Sequence, residues 1–519
     1  MRNLAASRVT LAAAVILALG ALFGVATLSR PAALAAGGQS ASARSATVTS
    51  AVRACPLPGQ GGAEGRVAMI AASASAGSGQ AQLIPLTAEG SVTPPAATGS
   101  AAQPGQLSLP AIPATSRHAR AAPTASSSPA ASTGTGTASR SASNATTPNA
   151  AVMIQASGSM AQGLEAEQTD STGLATARCD GPGTDFWFAG TGQASAASIR
   201  LYLMNVDGQA ADADVDIYTE AGLLPGSTDT GIAVPPYGVV VQSLASLVRG
   251  SHVVALHVRT SVGRLVAAVS EGTGGGQGGS WLPAARAPAA QVVIPGIPRT
   301  PGSLQLYVVV PGGSDAQIKV TAVTPQGTYE PTGAGGIDVP SGSAAAFTLP
   351  ALTGTVSALR ITSNVPVTAA ALVPGNGIGA FSAAAGPLEQ QGVVAGNSSR
   401  PGDLATIVLS APGRVAAQVR ITPVGFGSGA SAASAAGQTI AVPAGRSVAV
   451  KVRLPAGSKP RSAFAVVVTP LAGSGPVYAA RVLAAGGAGG TVQSIIPVTS
   501  ALTWIPLSPV RDSLSTVVP

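Results

Sequence analysis

Aromatic residues make up only 3% of the chain and charged residues only 9%, while histidine occurs three times and cysteine twice. The first shortage excludes cores built on large rings, so any core rests on Val, Leu, Ile and Ala within the 46% of hydrophobic residues. The second lies far below the roughly 25% of an average soluble domain and leaves a surface of Gly, Ser, Thr, Ala and Gln. Lysine appears only at Lys319, Lys451 and Lys459. With aromatics also sparse, the interleaving of basic and aromatic residues that binds nucleic acid is missing. Neither Cys55 nor Cys179 has the neighbouring Cys or His that a zinc site or a thiol nucleophile needs. Beyond residue 30 no segment keeps a helical period, so the expected fold class is all-β.

What is present begins with Val9 to Leu28, an uncharged apolar run after Arg2 and Arg8. Its length matches the hydrocarbon thickness of a bilayer, and the flanking arginines leave the amino terminus in the cytoplasm. Residues 1–30 therefore read as a transmembrane helix that anchors a protein with its bulk extracytoplasmic. The alternative is a signal peptide cleaved near Ala33-Leu34-Ala35, which gives a secreted chain. Either way the two cysteines lie in an oxidising compartment, where a Cys55–Cys179 disulfide closes a loop of more than 120 residues.

Residues 31–49 read as a linker and 50–190 as a first β domain, interrupted at 87–150 by a disordered Ala/Ser/Thr/Pro-rich insertion with no apolar period. Residues 31–150 carry six arginines against Glu64 and Glu89. These either keep a tail solvated or rest on anionic lipid or envelope phosphates.

Past residue 190 the chain repeats. Val215-Asp216-Ile217, Ile318-Lys319-Val320 and Val419-Arg420-Ile421 are spaced by 103 and 101 residues. Ile232-Ala233-Val234-Pro235, Ile337-Asp338-Val339-Pro340 and Ile440-Ala441-Val442-Pro443 follow at spacings of 105 and 103. Ala267-Ala268, Ala369-Ala370 and Ala479-Ala480 form a third mark. A period near one hundred residues predicts immunoglobulin-like β-sandwich modules at 191–295, 296–395 and 396–519, the last with a C-terminal extension. In the first repeat, strands are expected at 199–205, 214–219, 231–234, 238–244, 252–258, 264–269 and 291–294. Alternation puts Asp216, Lys319 and Arg420 on a water-facing side, and the modules are expected to stack as beads.

Two stretches resemble a known family. Gly163 to Gln168 (GLEAEQ) and Cys179 to Gly190 (CDGPGTDFWFAG) are similar to the signature of an uncharacterised actinobacterial family of secreted or membrane-anchored proteins. The leading apolar segment, Cys55-Pro56-Leu57-Pro58 and the repeated β modules fit the same resemblance. It implies a cell-envelope setting, since members tend to be encoded near a membrane glycosyltransferase, and it implies no activity.

Candidate sites are few. His252 and His257 are five apart on one expected strand and so face opposite ways, and His118 falls in the insertion. Glu165 and Glu167 share a strand face, which reads as a solvated edge; glycoside hydrolysis by paired carboxylates is the alternative. Asp180 and Asp185 flank the turn Gly181-Pro182-Gly183, beside Phe186-Trp187-Phe188, where Trp187 faces opposite to both phenylalanines. Asp180, Asp185 and Trp187 are the possible ligand contacts, with calcium or sugar as the chemistry for the acids and sugar stacking for the ring. Gly272 to Gly279 lacks the Lys-Ser or Lys-Thr of a phosphate loop and reads as a hairpin or linker. No catalytic, cofactor or metal residues are assigned. The expected function is a non-enzymatic cell-envelope scaffold, spacer or binding surface for a glycan or protein partner. A glycan-active enzyme with acids in the first domain is the alternative.

Overall fold

The computed structural model describes residues 44–57, 66–71, 78–90, 95, 97–100, 106–108, 151–169, 175–192, 196–225, 231–272, 279–300, 302–375, 379–426, 436–458, 460–486 and 491–507. Among these the regular elements are all strands. No helix among the described residues is long and apolar enough to cross a membrane, and the run Val9 to Leu28 lies outside them. The same holds for 109–150, most of the expected insertion, and for His118.

After β1 (Arg44–Thr47), strands fall into four lobes. The first holds β2 (Ser50–Pro56), β3 (Arg66–Ala71), β4 (Gly79–Leu86), β5 (Ala97–Ser100), β6 (Gln106–Ser108), β7 (Ala151–Gly158), β8 (Leu164–Thr169) and β9 (Thr176–Arg178). The second holds β10 (Asp185–Thr191), β11 (Ser198–Met204), β12 (Ala211–Thr219), β13 (Gly222–Leu223), β14 (Ile232–Val234), β15 (Val239–Ser243), β16 (Val253–Val262), β17 (Val266–Gly272) and β18 (Ser280–Leu282). In the third are β19 (Ala289–Pro298), β20 (Leu304–Val310), β21 (Ala316–Thr324), β22 (Gly327–Tyr329), β23 (Ile337–Val339), β24 (Ser343–Leu349), β25 (Val356–Val373) and β26 (Ala380–Ala383). The fourth has β27 (Gly392–Asn397), β28 (Leu404–Ala411), β29 (Ala417–Gly425), β30 (Gln438–Val442), β31 (Arg446–Val452), β32 (Phe464–Pro470), β33 (Tyr478–Ala485) and β34 (Thr491–Val498). β35 (Trp504–Leu507) pairs with β1 in a two-stranded sheet.

All four lobes share one antiparallel plan. One sheet runs β2-β7-β4-β5 in the first lobe, and its counterparts run β10-β16-β12-β14, β19-β25-β21-β23 and β27-β32-β29-β30. The facing sheets run β6-β3-β8-β9, β15-β11-β17-β18, β24-β20-β25-β26 and β31-β28-β33-β34. In the third lobe β25 is long enough to serve both sheets. The local reasons are plain in β21, where Ala316, Ile318, Val320 and Ala322 are buried while Gln317 and Lys319 are exposed. Val234, Val339 and Val442 each end a strand immediately before proline, which has no N–H for the ladder.

Several expectations change here. The domain before residue 190 has the same strand plan as the three that follow, so the chain carries four copies. Phe186-Trp187-Phe188 is the opening strand of the second lobe, because β10 pairs with β16. Residues 291–294, expected to close that lobe, open the next one, because β19 pairs with β25. Two strands, β5 and β6, lie inside the segment expected to be disordered. The strand order also departs from the immunoglobulin one: the first strand joins the sheet of the third and sixth, and the seventh flanks the second. Asp216 is buried, although Lys319 and Arg420 are exposed as alternation predicts.

Nor do the lobes stack as beads. Within residues 47–503 each lobe packs its first sheet on the second sheet of the next, and the fourth packs on the first. Ala54 and Met153 meet Tyr202 and Met204. The core of the second lobe extends to Tyr307, Ala370 and Phe381 of the third. Val293 and Val323 meet Tyr478, and Ala480 reaches the core of the third lobe. Gly296, at a φ of 78°, lies so close that a side chain there would collide with Ala480. Finally Ala68 and Ile70 meet Val393, Ala395 and Val467, which closes the cycle.

The closing joint also holds charge. Leu164 and Ala166 face the core of the first lobe, which leaves Glu165 and Glu167 on the other face, as expected. That face is covered rather than solvated, and both glutamates are 2% exposed. β27 has an irregular register between Val394 and Asn397, and the Glu167 carboxylate accepts the freed Ala395 N–H at 2.8 Å. Arg481, fully buried on β33, donates to Glu167 Oε2 at 3.2 Å, to the Gly396 carbonyl at 2.9 Å and to Thr176 Oγ1 at 2.7 Å. Burial pushes the Glu167 carboxyl up, and the Arg481 charge opposes that shift.

Candidate binding site

The last strand of each lobe, β9, β18, β26 and β34, is the edge of its second sheet, and these four edges touch in a cycle around a common axis. A cavity of about 340 Å³ lies among them. Its wall includes Arg178 and Asp180 from the segment that ends the first lobe, Phe186 and Trp281 from the second, Ala385 after the third and Ile496 from the fourth.

The segment 179–190 builds one part of this wall. The Cys55–Cys179 disulfide fixes its start to β2. Asp180 gives its carbonyl to Ala54 N–H at 3.0 Å, and Gly183 exchanges two backbone bonds with Leu265 at 2.9 and 3.0 Å. The turn is thereby tied to both the first and the second lobe. Gly181 passes Arg53 closely enough that a Cβ would sit 2.9 Å from its Nη1. From there β10 carries Asp185, Phe186 and Phe188 to the cavity.

Charges are arranged around the opening. Glu165 accepts from Arg178 Nε at 3.0 Å and Nη2 at 2.9 Å, and from Arg53 at 3.4 Å. This bidentate pairing holds the Arg178 guanidinium in place at the wall. Asp180 lies 3.7 Å from Arg178. Burial raises the Asp180 carboxyl, and the adjacent arginine opposes the rise. Asp185 and Arg286 are exposed at the mouth. The Arg286 main chain is pinned by its N–H to Ala384 at 2.7 Å and by its carbonyl, which accepts from Thr368 Oγ1 at 2.7 Å.

Of the three expected contacts, Asp180 and Asp185 line the cavity and Trp187 does not. Trp187 is buried between the second and third lobes, stacked on His257 with ring centroids 3.8 Å apart. Alternation along β10 put it opposite Phe186 and Phe188 as expected, and the phenylalanines take the cavity side. His257 has Nε2 3.2 Å from Asp185 and Nδ1 3.5 Å from Asp216. Burial lowers its pKa, opposed by Asp185. With both nitrogens facing carboxylates and one ring face covered, His257 ties β10, β12 and β16 together. His252 is exposed, its N–H held by Glu220 at 2.8 Å. Glu165 and Glu167 are both taken up by arginines and do not form a carboxylate pair across a substrate space. Among the described residues no cluster of three or more His, Cys, Asp or Glu could hold a metal.

Sequence reasoning missed Arg178, Trp281 and Arg286. Trp281 had a signal, as one of three tryptophans in an aromatic-poor chain. The arginines had none, because their role depends on lobes far apart in sequence.

No curated protein matches the chain, and no solved structure does. One family does match, over residues 134–453, from before β7 to within the fourth lobe. With more than half its length covered, the chain belongs to the family of unknown function DUF5719.

Proposed function

We propose that this chain is a non-enzymatic, extracytoplasmic protein of the cell envelope whose four lobes present the axial cavity as a binding surface for a glycan or protein partner. The observation that carries this reading is the cavity itself, a concave site walled by all four lobes and lined by both polar and apolar groups. The apolar run Val9 to Leu28 supports placement at a membrane, either as an anchor or as a cleaved signal. The Cys55–Cys179 disulfide supports an oxidising compartment. A closed cycle gains no reach from added lobes, which favours a binding surface over a spacer. The glycan-active enzyme is less well supported, since Glu165 is neutralised by Arg178 and Arg53, and Glu167 by Arg481.

Retention of residues 31–519 on isolated cell-wall polymers and envelope proteins tests the proposal. Trp281→Ala is expected to abolish retention while the disulfide stays formed. Unchanged retention would place binding elsewhere, and cleavage of a polymer would favour the enzyme.

A further inference from the structure

We propose that the axial cavity takes a neutral saccharide of one or two rings, an inference that rests on reading the cavity as the binding site. Its volume of about 340 Å³ lies at the small end of ligand pockets. Such a space admits a compact ligand and excludes a long folded segment. Trp281 is half-buried at the wall, with its ring 5.5 Å from that of Tyr202, which supports it from behind. With Phe186 and Pro283 it offers rigid apolar faces that match the C–H faces of a sugar ring.

Charge then narrows the class. Arg178 and Arg286 bring positive charge to the cavity, Asp180 and Asp185 bring negative charge, and the pair behind the wall, Arg53 and Glu165, cancels as well. A wall with both signs in balance gives no net attraction to an anion or a cation. An apolar ligand would take water from Arg286, Asp180 and Asp185 and return no hydrogen bonds. A hydroxyl group donates and accepts at once, so one ligand bearing several of them satisfies carboxylates and guanidiniums together. Arg178, held by Glu165, and the Arg286 guanidinium, carried on a pinned main chain, supply the donors. Asp180 and Asp185 supply the acceptors.

The test uses the full chain in a detergent without sugar headgroups, titrated with neutral mono- and disaccharides of glucose, galactose, mannose and arabinose. Matching uronic-acid saccharides and a library of short peptides form the other two arms, and binding is read by calorimetry and, in the unsubstituted chain, by quenching of tryptophan fluorescence. A neutral saccharide is expected to bind, with affinity weakened about tenfold or more in both Trp281→Ala and Arg286→Ala. Arg286 is exposed, so its variant remains informative if Trp281→Ala fails to fold. Binding of peptides or uronates, lost in the same variants, would keep the site and overturn the saccharide. Saccharide binding that neither variant weakens would also overturn it, and silence in all three arms would remove the cavity as a binding site.

Discussion

Three joints between lobes connect sequence neighbours, and the fourth connects the first lobe to the last; the two kinds are built differently. At the tethered joints the outward residue of the seventh strand is alanine: Ala268, Ala370 and Ala480, each packed against apolar neighbours. At the closing joint the same strand of the first lobe, β8, carries Glu167, paired with Arg481 from 314 residues away. Apolar contact is non-directional, and a short connection already limits how tethered neighbours can meet. Lobes without that tether need contacts that reject wrong registers, and a buried ion pair does so because each mispaired charge is costly.

The largest effect should come from breaking this pair on one side. Arg481→Leu leaves Glu167 buried without its cation and is expected to cost about 3 to 5 kcal/mol in denaturant unfolding. Replacing both, as Glu167→Ala with Arg481→Leu, makes the joint resemble the other three and should recover most of that loss. A double variant as unstable as the single one would mean that the charge is not what distinguishes the joint.

A smaller effect comes from a buried acid without a cation. Glu271 is 2% exposed and accepts from the Thr191 hydroxyl and backbone N–H, and burial raises its pKa to about 8. Its folded pKa exceeds its unfolded value, so its contribution is full below about pH 4.5 and is lost as pH rises through 8. Between pH 6 and pH 9 that loss amounts to about 2 to 3 kcal/mol. Glu271→Gln, which keeps the shape of the protonated acid, should flatten the pH dependence over this range. An unchanged slope would assign the dependence to other groups.

Repeat marks made three lobes legible and hid the first. Val234-Pro235, Val339-Pro340 and Val442-Pro443 announce one strand in three copies, whereas its counterpart in the first lobe, Ala97–Ser100, lacks both the Ile and Val pair and the proline. The alanine mark fails there too, because Glu165 and Glu167 stand in the corresponding strand. Alternation correctly told which residues share a face, as at Trp187 and Glu167. It could not tell what covers that face, and in both cases another lobe does. The axial cavity was illegible for the same reason, since Asp180, Trp281, Ala385 and Ile496 meet only once the cycle closes.

That closure is tested most directly by a distance across the fourth joint. Arg66 of the first lobe and Arg461 of the fourth line one small cleft, and spin labels on cysteines at these two positions report their separation by pulsed electron paramagnetic resonance. The closed cycle predicts one narrow distribution, shorter than the width of a single lobe, about 30 Å for a hundred residues. A separation of about 60 Å or more, the span of two intervening lobes, would contradict it.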